Sequence, residues 1–561
     1  MVLQGPDLER LALRVGQPDR GRAPGALDFP AGPFQLSGRL RRTARGISVS
    51  GSRLEVAGAA GKADIDLALP ASPLDARFDI RISGSNAAAV WKGRYNIEFG
   101  EKPFSVNLRG AYSDQLLQLD DGMLNVGESE LQATGKIRRG GHDNAVTIRA
   151  TSPEIADIAK VFGIELFPGR DLQLTGTLRR RGELFRLENF LAKSNKGDLA
   201  GNLQIKPGQP LRIAGELTSQ FLDIGWLRQS NLGELLEKPT GANSVQRDGR
   251  LIPDWPLPLD ALKRINLDLS VSAEQVRRER HDVRNNLFRL VIQDGALHLA
   301  PYRFAGDSGT LDAELHVVPD DNGATVRFLL TANDLVTGLF QPDNADVMML
   351  PAGNWEIDLR GTGRTLRQVA GNLTGRARLS SSAGRLSNQG RTNALFGDLL
   401  TNIIRAVNPF TQREPYTEIS CAVLPFVFEN GGMQTAPSIV VQTDKLNIIS
   451  RGSINLGTER IDLSFNSRPR RGLGVSAGSL VNPFVRIGGT MSQPRINVDR
   501  TGAILSGGAA FFTGGLSLIA QAAFDAAWRS PDPCGRVLEE ADRRSARERG
   551  DRDRREGARP D

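Results

Sequence analysis

The sequence predicts a mainly β protein: a long, curled antiparallel sheet forming an apolar groove, with a few helices and a C-terminal Gly/Ala-rich helix. Three observations carry that expectation. Apolar and polar residues alternate over short runs such as "FQLSGRL", "IDLALP", "FDIRIS" and "FSVNLRG", the period of a strand with one buried face. Gly, Pro, Asp and Asn interrupt these runs at frequent intervals, which is the turn chemistry of antiparallel connections. Glycines also recur in the middle of apolar faces, around Gly38, Gly135, Gly176, Gly201, Gly215, Gly371 and Gly489. A missing side chain there permits sharper bending and leaves room for a guest on the concave side.

Taken in order, residues 1–33 read as an irregular N-terminal segment, and "MVLQGPDLERLALRVGQPDRG" holds no apolar run of signal-peptide or membrane-span length. Residues 34–238 read as a β-rich groove region. Its clearest stretch is "DLAGNLQIKPGQPLRIAGEL" (198–217), two strands around the turn Lys206-Pro207-Gly208-Gln209-Pro210. Helices are expected at 152–163, with Ser152 as N-cap, and at 221–238. Residues 239–258, rich in turn formers and proline, read as a linker. A second β region spans 259–502 and contains a helix at 391–407, where Leu395, Phe396, Leu399, Leu400 and Ile403 share a face. Residues 503–535 form an apolar helical segment too glycine-rich for a convincing membrane span. The charged tail, 536–561, is expected to be disordered.

Spacing between the glycine units is irregular, which excludes an ordinary solenoid repeat. Strands of typical length would number roughly 25 to 35, and the expected helices are too few to cover one face of them. The faces therefore either pack on each other as sandwiches in series or line one long trough. The glycines favour the trough. At a strand spacing of about 4.8 Å it would extend on the order of 100 Å.

Composition narrows the function classes. With 561 residues, 24% charged and 6% aromatic, the chain has the make-up of an ordered protein. A net charge of +7 is spread along outward strand positions without aromatic interleaving, which argues against nucleic acid as a partner. Cys421 lies in the apolar run "CAVLPFVF" and reads as a buried thiol; a disulfide to Cys534 is the other reading. "GVSAG" (474–478) matches the nucleophile-elbow pattern, but all four histidines precede Ser476 and the surroundings read as a Gly/Ser loop. No metal-ligand spacing or phosphate-binding loop occurs. No catalytic residue, metal or cofactor is expected.

An open apolar trough suits lipid. Two acyl chains carry about 30 methylenes, worth on the order of 20 kcal/mol in shelter from water. The lining expected from alternation is Leu172, Leu174, Leu178, Phe185, Leu187, Leu191, Leu199, Leu203, Ile205, Leu211, Ile213 and Leu217. A one-residue register error would invert these faces.

Several long stretches resemble the AsmA family of Gram-negative envelope proteins: "LIPDWPLPLDALKRINLDLSVSA" and "LFRLVIQDGALHLAPYRFAGDSGTLDAELHV", then "GRLSNQGRTNALFGDLL", "NPFVRIGGTMSQPRINVD" and "DPC". The likeness covers about 250–535 and is looser upstream. It implies a periplasmic body attached to the inner membrane by an N-terminal helix, although that anchor is missing from this sequence. It also implies a non-enzymatic role in outer-membrane biogenesis, with phospholipid conducted along a β groove between inner and outer membranes. The alternative is an assembly or targeting factor that regulates insertion of outer-membrane proteins through exposed strand edges. The implied partners are phospholipid, the two membranes and envelope proteins.

Overall fold

A half-buried strand must find a neighbour on each side, and this chain finds it by doubling back on itself. The computed structural model describes residues 2–5, 33–44, 46–56, 59–68, 75–87, 101–113, 115–138, 144–154, 169–224, 249–278, 281–336, 351–387, 416–470, 484–499 and 530–556. The protein is mainly β, a long antiparallel sheet; among the described residues the strands number 28 and the helices are few. The chain divides into two units, Met1–Trp226 and Leu227–Asp561.

In the first unit the strands are β1 (Val2–Gly5), β2 (Phe34–Thr43), β3 (Gly46–Val56), β4 (Ala59–Ala68), β5 (Asp75–Gly84), β6 (Phe104–Ser113) and β7 (Leu116–Val126). There follow β8 (Ser129–Arg138), β9 (Asn144–Glu154), β10 (Arg170–Arg181), β11 (Leu184–Ser194), β12 (Gly197–Lys206) and β13 (Leu211–Asp223). Each pairs antiparallel with the next. In such a meander the connections alternate between two margins. On one margin every connection is six residues or fewer, 44–45, 69–74, 114–115, 139–143, 182–183 and 207–210; the longer connections, 6–33, 85–103 and 155–169, leave from the other.

Several bulges break the alternation, and two of them centre on a left-handed residue. Gly51 in β3 (φ 56°) and Asn189 in β11 (φ 51°) adopt left-handed backbone, and the register shifts beside each. Each freed amide donates to a side chain thirteen residues downstream on the next strand, Gly51 to Asp64 Oδ1 (2.6 Å) and Asn189 to Asn202 Oδ1 (3.0 Å). Such bulges add local twist to a sheet. The mid-strand glycines serve close approach. A Cβ on Gly201 (φ 149°) would lie 2.0 Å from the Glu216 carbonyl oxygen, and one on Gly215 would lie 2.5 Å from the Asn202 oxygen. The space expected to be left for a guest at these two positions is filled by the neighbouring strand.

The second unit repeats the pattern. Its apolar face runs through Leu299, Leu315, Phe328, Leu359, Gly375 and Phe428 on successive strands. Toward the C-terminus this face closes into a core: Leu446, Ile461, Leu463, Phe465, Val485 and Ile487 are buried, with Leu251 packed against them. Glu459, itself buried, accepts the amides of Leu251 (2.8 Å) and Ile252 (2.7 Å), and Arg367 donates to the Ile252 carbonyl (2.9 Å). Residues 249–252, expected as part of a linker, are thus stitched onto the second unit. Helices α1 (Leu259–Leu262) and α2 (Leu366–Gly371) are short, and α2 is capped by the Thr365 hydroxyl.

Four sequence expectations are corrected. The tail after residue 535 is helical: α3 spans Pro533–Glu556. Within its first turns Val537 and Ala541 are buried. Val537 and Leu538 pack against Val423, Val440 and Ile449 on the face of the sheet opposite the apolar row. Arg378 pairs with Asp542, and Cys421 is joined to Cys534 in a disulfide. Within the segment read as irregular, Val2–Gly5 pairs with Phe34–Ser37. Ser152 is no helix cap but lies inside β9, hydrogen-bonded to Ser129 (2.8 Å). The fourth correction is the stitched linker. The expected helices beyond residues 154 and 224, the helix at 391–407, the apolar segment up to residue 529 and "GVSAG" lie outside the described residues.

Candidate functional site: the apolar face of the first unit

Directly opposed residues of an antiparallel pair point to the same side of the sheet, so the registers can be followed across the unit. One row crosses twelve strands. From β2 to β7 it runs Leu40, Val49, Ile65, Phe78, Gly110 and Leu119. From β8 to β13 it continues as Gly135, Val146, Leu178, Leu187, Leu203 and Gly215. Every position is apolar or glycine. At the usual strand spacing the row is about 50 Å long.

The row one residue over belongs to the other face. It reads Arg41, Ser48, Asp66, Arg77, Ala111 and Gln118 in the first half, then Lys136, Ala145, Arg179, Arg186, Gln204 and Ala214. This face is polar, with Arg179 paired to Glu188 (2.7 Å). The contrast between the two rows is the alternation of the sequence seen in three dimensions.

Burial separates this apolar face from a finished core. Ile487 and Val485 in the second unit are 0% and 1% exposed. In the first unit Ile65, Phe78, Leu119, Val146, Leu178, Leu187 and Leu203 are only half-buried, and Leu40 is 55% exposed. The most deeply buried side chains of this face gather toward the long-connection margin, where Ala59, Ala87 and Phe104 cluster, as do Ala150 and Leu172. A continuous apolar surface left half open marks a site for something else to occupy.

Eleven of the twelve residues expected to share a face do so. Leu172, Leu174 and Leu178 stand on β10; Phe185 and Leu187 on β11; Leu199, Leu203 and Ile205 on β12; Leu211, Ile213 and Leu217 on β13. Leu172 and Leu217 are buried and the others half-buried. Leu191 is the exception. It opposes Thr175 and Ala200, which places it on the polar side. The bulge at Asn189 inserts a residue and inverts the alternation beyond it, so Phe190 takes the inward position opposite Gly201. An asparagine inside an apolar strand was the available signal. The sequence-level list also began too late, since the same face starts at β2.

A second feature was not legible from spacing alone. His298 and His316 meet across a hairpin of the second unit, Nδ1 to Nδ1 2.8 Å, with Glu314 3.2 Å from His316 Nε2. Among the described residues no group of three His, Cys, Asp or Glu side chains is placed to hold a metal ion. No helix among them is long and apolar enough to cross a membrane.

The model of the AsmA family matches residues 114–438. The chain is also 22% identical over 446 residues to the AsmA family protein YhjG of Escherichia coli (strain K12), an alignment covering 74% of this chain and 62% of that relative. The chain thus spans less than two thirds of the relative's length.

Proposed function

The chain belongs to the AsmA family, and from that premise we propose that it is a non-enzymatic protein of envelope biogenesis that shelters phospholipid acyl chains along the apolar face of its first unit. The observation that carries this reading is the twelve-strand row of half-buried apolar residues from Leu40 to Gly215. A single chain of about 15 methylenes moved from water onto such a surface gains about 12 kcal/mol at full burial. Because the row is continuous, a lipid can move along it without any one position exposing its tails. In this reading the chain conducts phospholipid between inner and outer membranes. A periplasmic location is supported by the Cys421–Cys534 disulfide, since such bonds persist in oxidising compartments.

The test uses the full chain purified from cells, with a photoreactive residue at Leu187 or Leu203. Crosslinks to phospholipid, and phospholipid in an organic extract of the protein, are expected. Protein that carries no lipid and gives no lipid crosslink at either position overturns the proposal. Crosslinks to envelope proteins through sheet edges, again without lipid, would instead favour the assembly role.

A further inference from the structure

The two margins of the first unit differ in charge. On the short-turn margin stand Arg41, Arg42, Lys136, Arg181, Arg186 and Arg212, all exposed and all without a carboxylate partner among the described residues. The described carboxylates there are Asp66, Asp75 and Glu183. On the opposite margin Arg170 meets Glu154 (3.5 Å) and Lys196 meets Asp223 (2.8 Å), while Arg53 and Lys62 oppose one another.

One of these cations, Arg42, and the neighbouring Arg180 stand on the apolar face itself. Arg42 opposes Ile47, and Arg180 opposes Phe185, with its guanidinium carbon 5.2 Å from the Phe185 ring centroid. At the opposite margin the same face also ends in a guanidinium, that of Arg170, but there Glu154 opposes it and pairs with it; at the short-turn margin Arg42 and Arg180 have no such carboxylate among the described residues. Cations gathered on one edge repel each other, and an anion placed among them relieves that repulsion while gaining charge-assisted hydrogen bonds.

We propose that the short-turn margin is a headgroup lip: the occupant is a two-chain phospholipid with a net anionic headgroup, its acyl chains on the apolar face and its phosphate among the lip arginines. This rests on the proposed lipid-sheltering role and adds to it a headgroup preference and an orientation. Each basic side chain near an anionic lipid contributes about fivefold in affinity, so a lip of several separates anionic from zwitterionic lipid.

The experiment offers the full chain equimolar phosphatidylglycerol and phosphatidylcholine in mixed vesicles, re-isolates the protein and measures the ratio of the two lipids bound. The wild type is expected to favour the anionic lipid at least fivefold at low salt, with the ratio falling toward one at high salt as screening sets in. Replacing Arg180, Arg181, Arg186 and Arg212 together by Gln should bring the ratio close to one. Replacing Arg53 and Lys62, on the opposite margin, by Gln should leave it at the wild-type value. Equal uptake of the two lipids by the wild type, or a preference that survives the quadruple substitution, overturns the lip and leaves the lipid-sheltering role standing. Displacement of bound lipid by millimolar glycerol phosphate would mean a site for the free anion, and would also overturn it. Absence of either lipid overturns the sheltering role and the lip together.

Discussion

Replacing Cys534 with serine cuts the covalent tie between the C-terminal helix and the sheet, and its effect can be sized beforehand. The disulfide closes a sequence separation of 113 residues. A loop on the order of 100 residues restricts the unfolded chain by about 4–5 kcal/mol. Part of that is not recovered, because Val537 and Leu538 still pack against Val423, Val440 and Ile449 once the bond is gone, and disulfide removals commonly cost about 2–5 kcal/mol. The expected loss for the second unit is therefore about 3 kcal/mol. With a urea dependence of about 3 kcal/mol per molar, the unfolding midpoint followed by circular dichroism should drop by about 1 M. Dithiothreitol should move the wild type by the same amount and leave Cys534→Ser where it is. Identical midpoints for wild type and variant, or two titratable thiols in the denatured wild type, would refute the reasoning.

Three further outcomes are expected. Gly201→Val forces a side chain against the Glu216 carbonyl at a positive φ and should destabilise the first unit by about 2–4 kcal/mol; calorimetry showing an unchanged transition would contradict it. Glu459→Ala leaves the Leu251 and Ile252 amides without their acceptor and should cost about 2–4 kcal/mol, read as earlier proteolysis around residue 250; unaltered cleavage kinetics would count against the clamp. The hydrogen bond from Arg277 holds the Asp282 carboxyl below its ordinary 3.8. Because the folded value is lowered, the stabilisation is present above the unfolded value and is lost as pH falls through the folded one. Carboxyl NMR of Arg277→Gln should show the Asp282 midpoint rising toward 3.8 without reaching it, since Gln275 still donates (2.7 Å); an unmoved midpoint would rule out Arg277 as the cause.

Much of the fold was legible because its information is local. Alternation sets which side chain faces which way, and Pro-Gly or Asn-Lys-Gly turns set where the chain reverses, so β11, β12 and β13 could be drawn from the sequence. What failed depended on single residues or distant ones. Asn189 shifts one strand by one residue, which is enough to turn Leu191 outward and Phe190 inward. The tail from 536 looked like solvated charge because a helix with one narrow apolar side, Val537 and Ala541, has no meaning until the sheet it lies on is known. Pairing of Cys421 with Cys534 joins residues too far apart for any pattern to link. Gly201 and Gly215 were placed on the correct face, but their role needed the distance to the neighbouring carbonyl; Gly371, expected in a strand, ends α2.

The alternating margins of the first unit have a consequence for how such a protein can change in length. Each added hairpin brings two strands and about 10 Å of sheet, and it returns the chain to the margin it left. Growth in pairs therefore conserves polarity: short turns stay with short turns, and the long connections stay opposite. A single added strand would exchange the two margins for everything downstream. The architecture behaves as a ruler graduated in hairpins, free to lengthen in even steps while one edge keeps its chemistry.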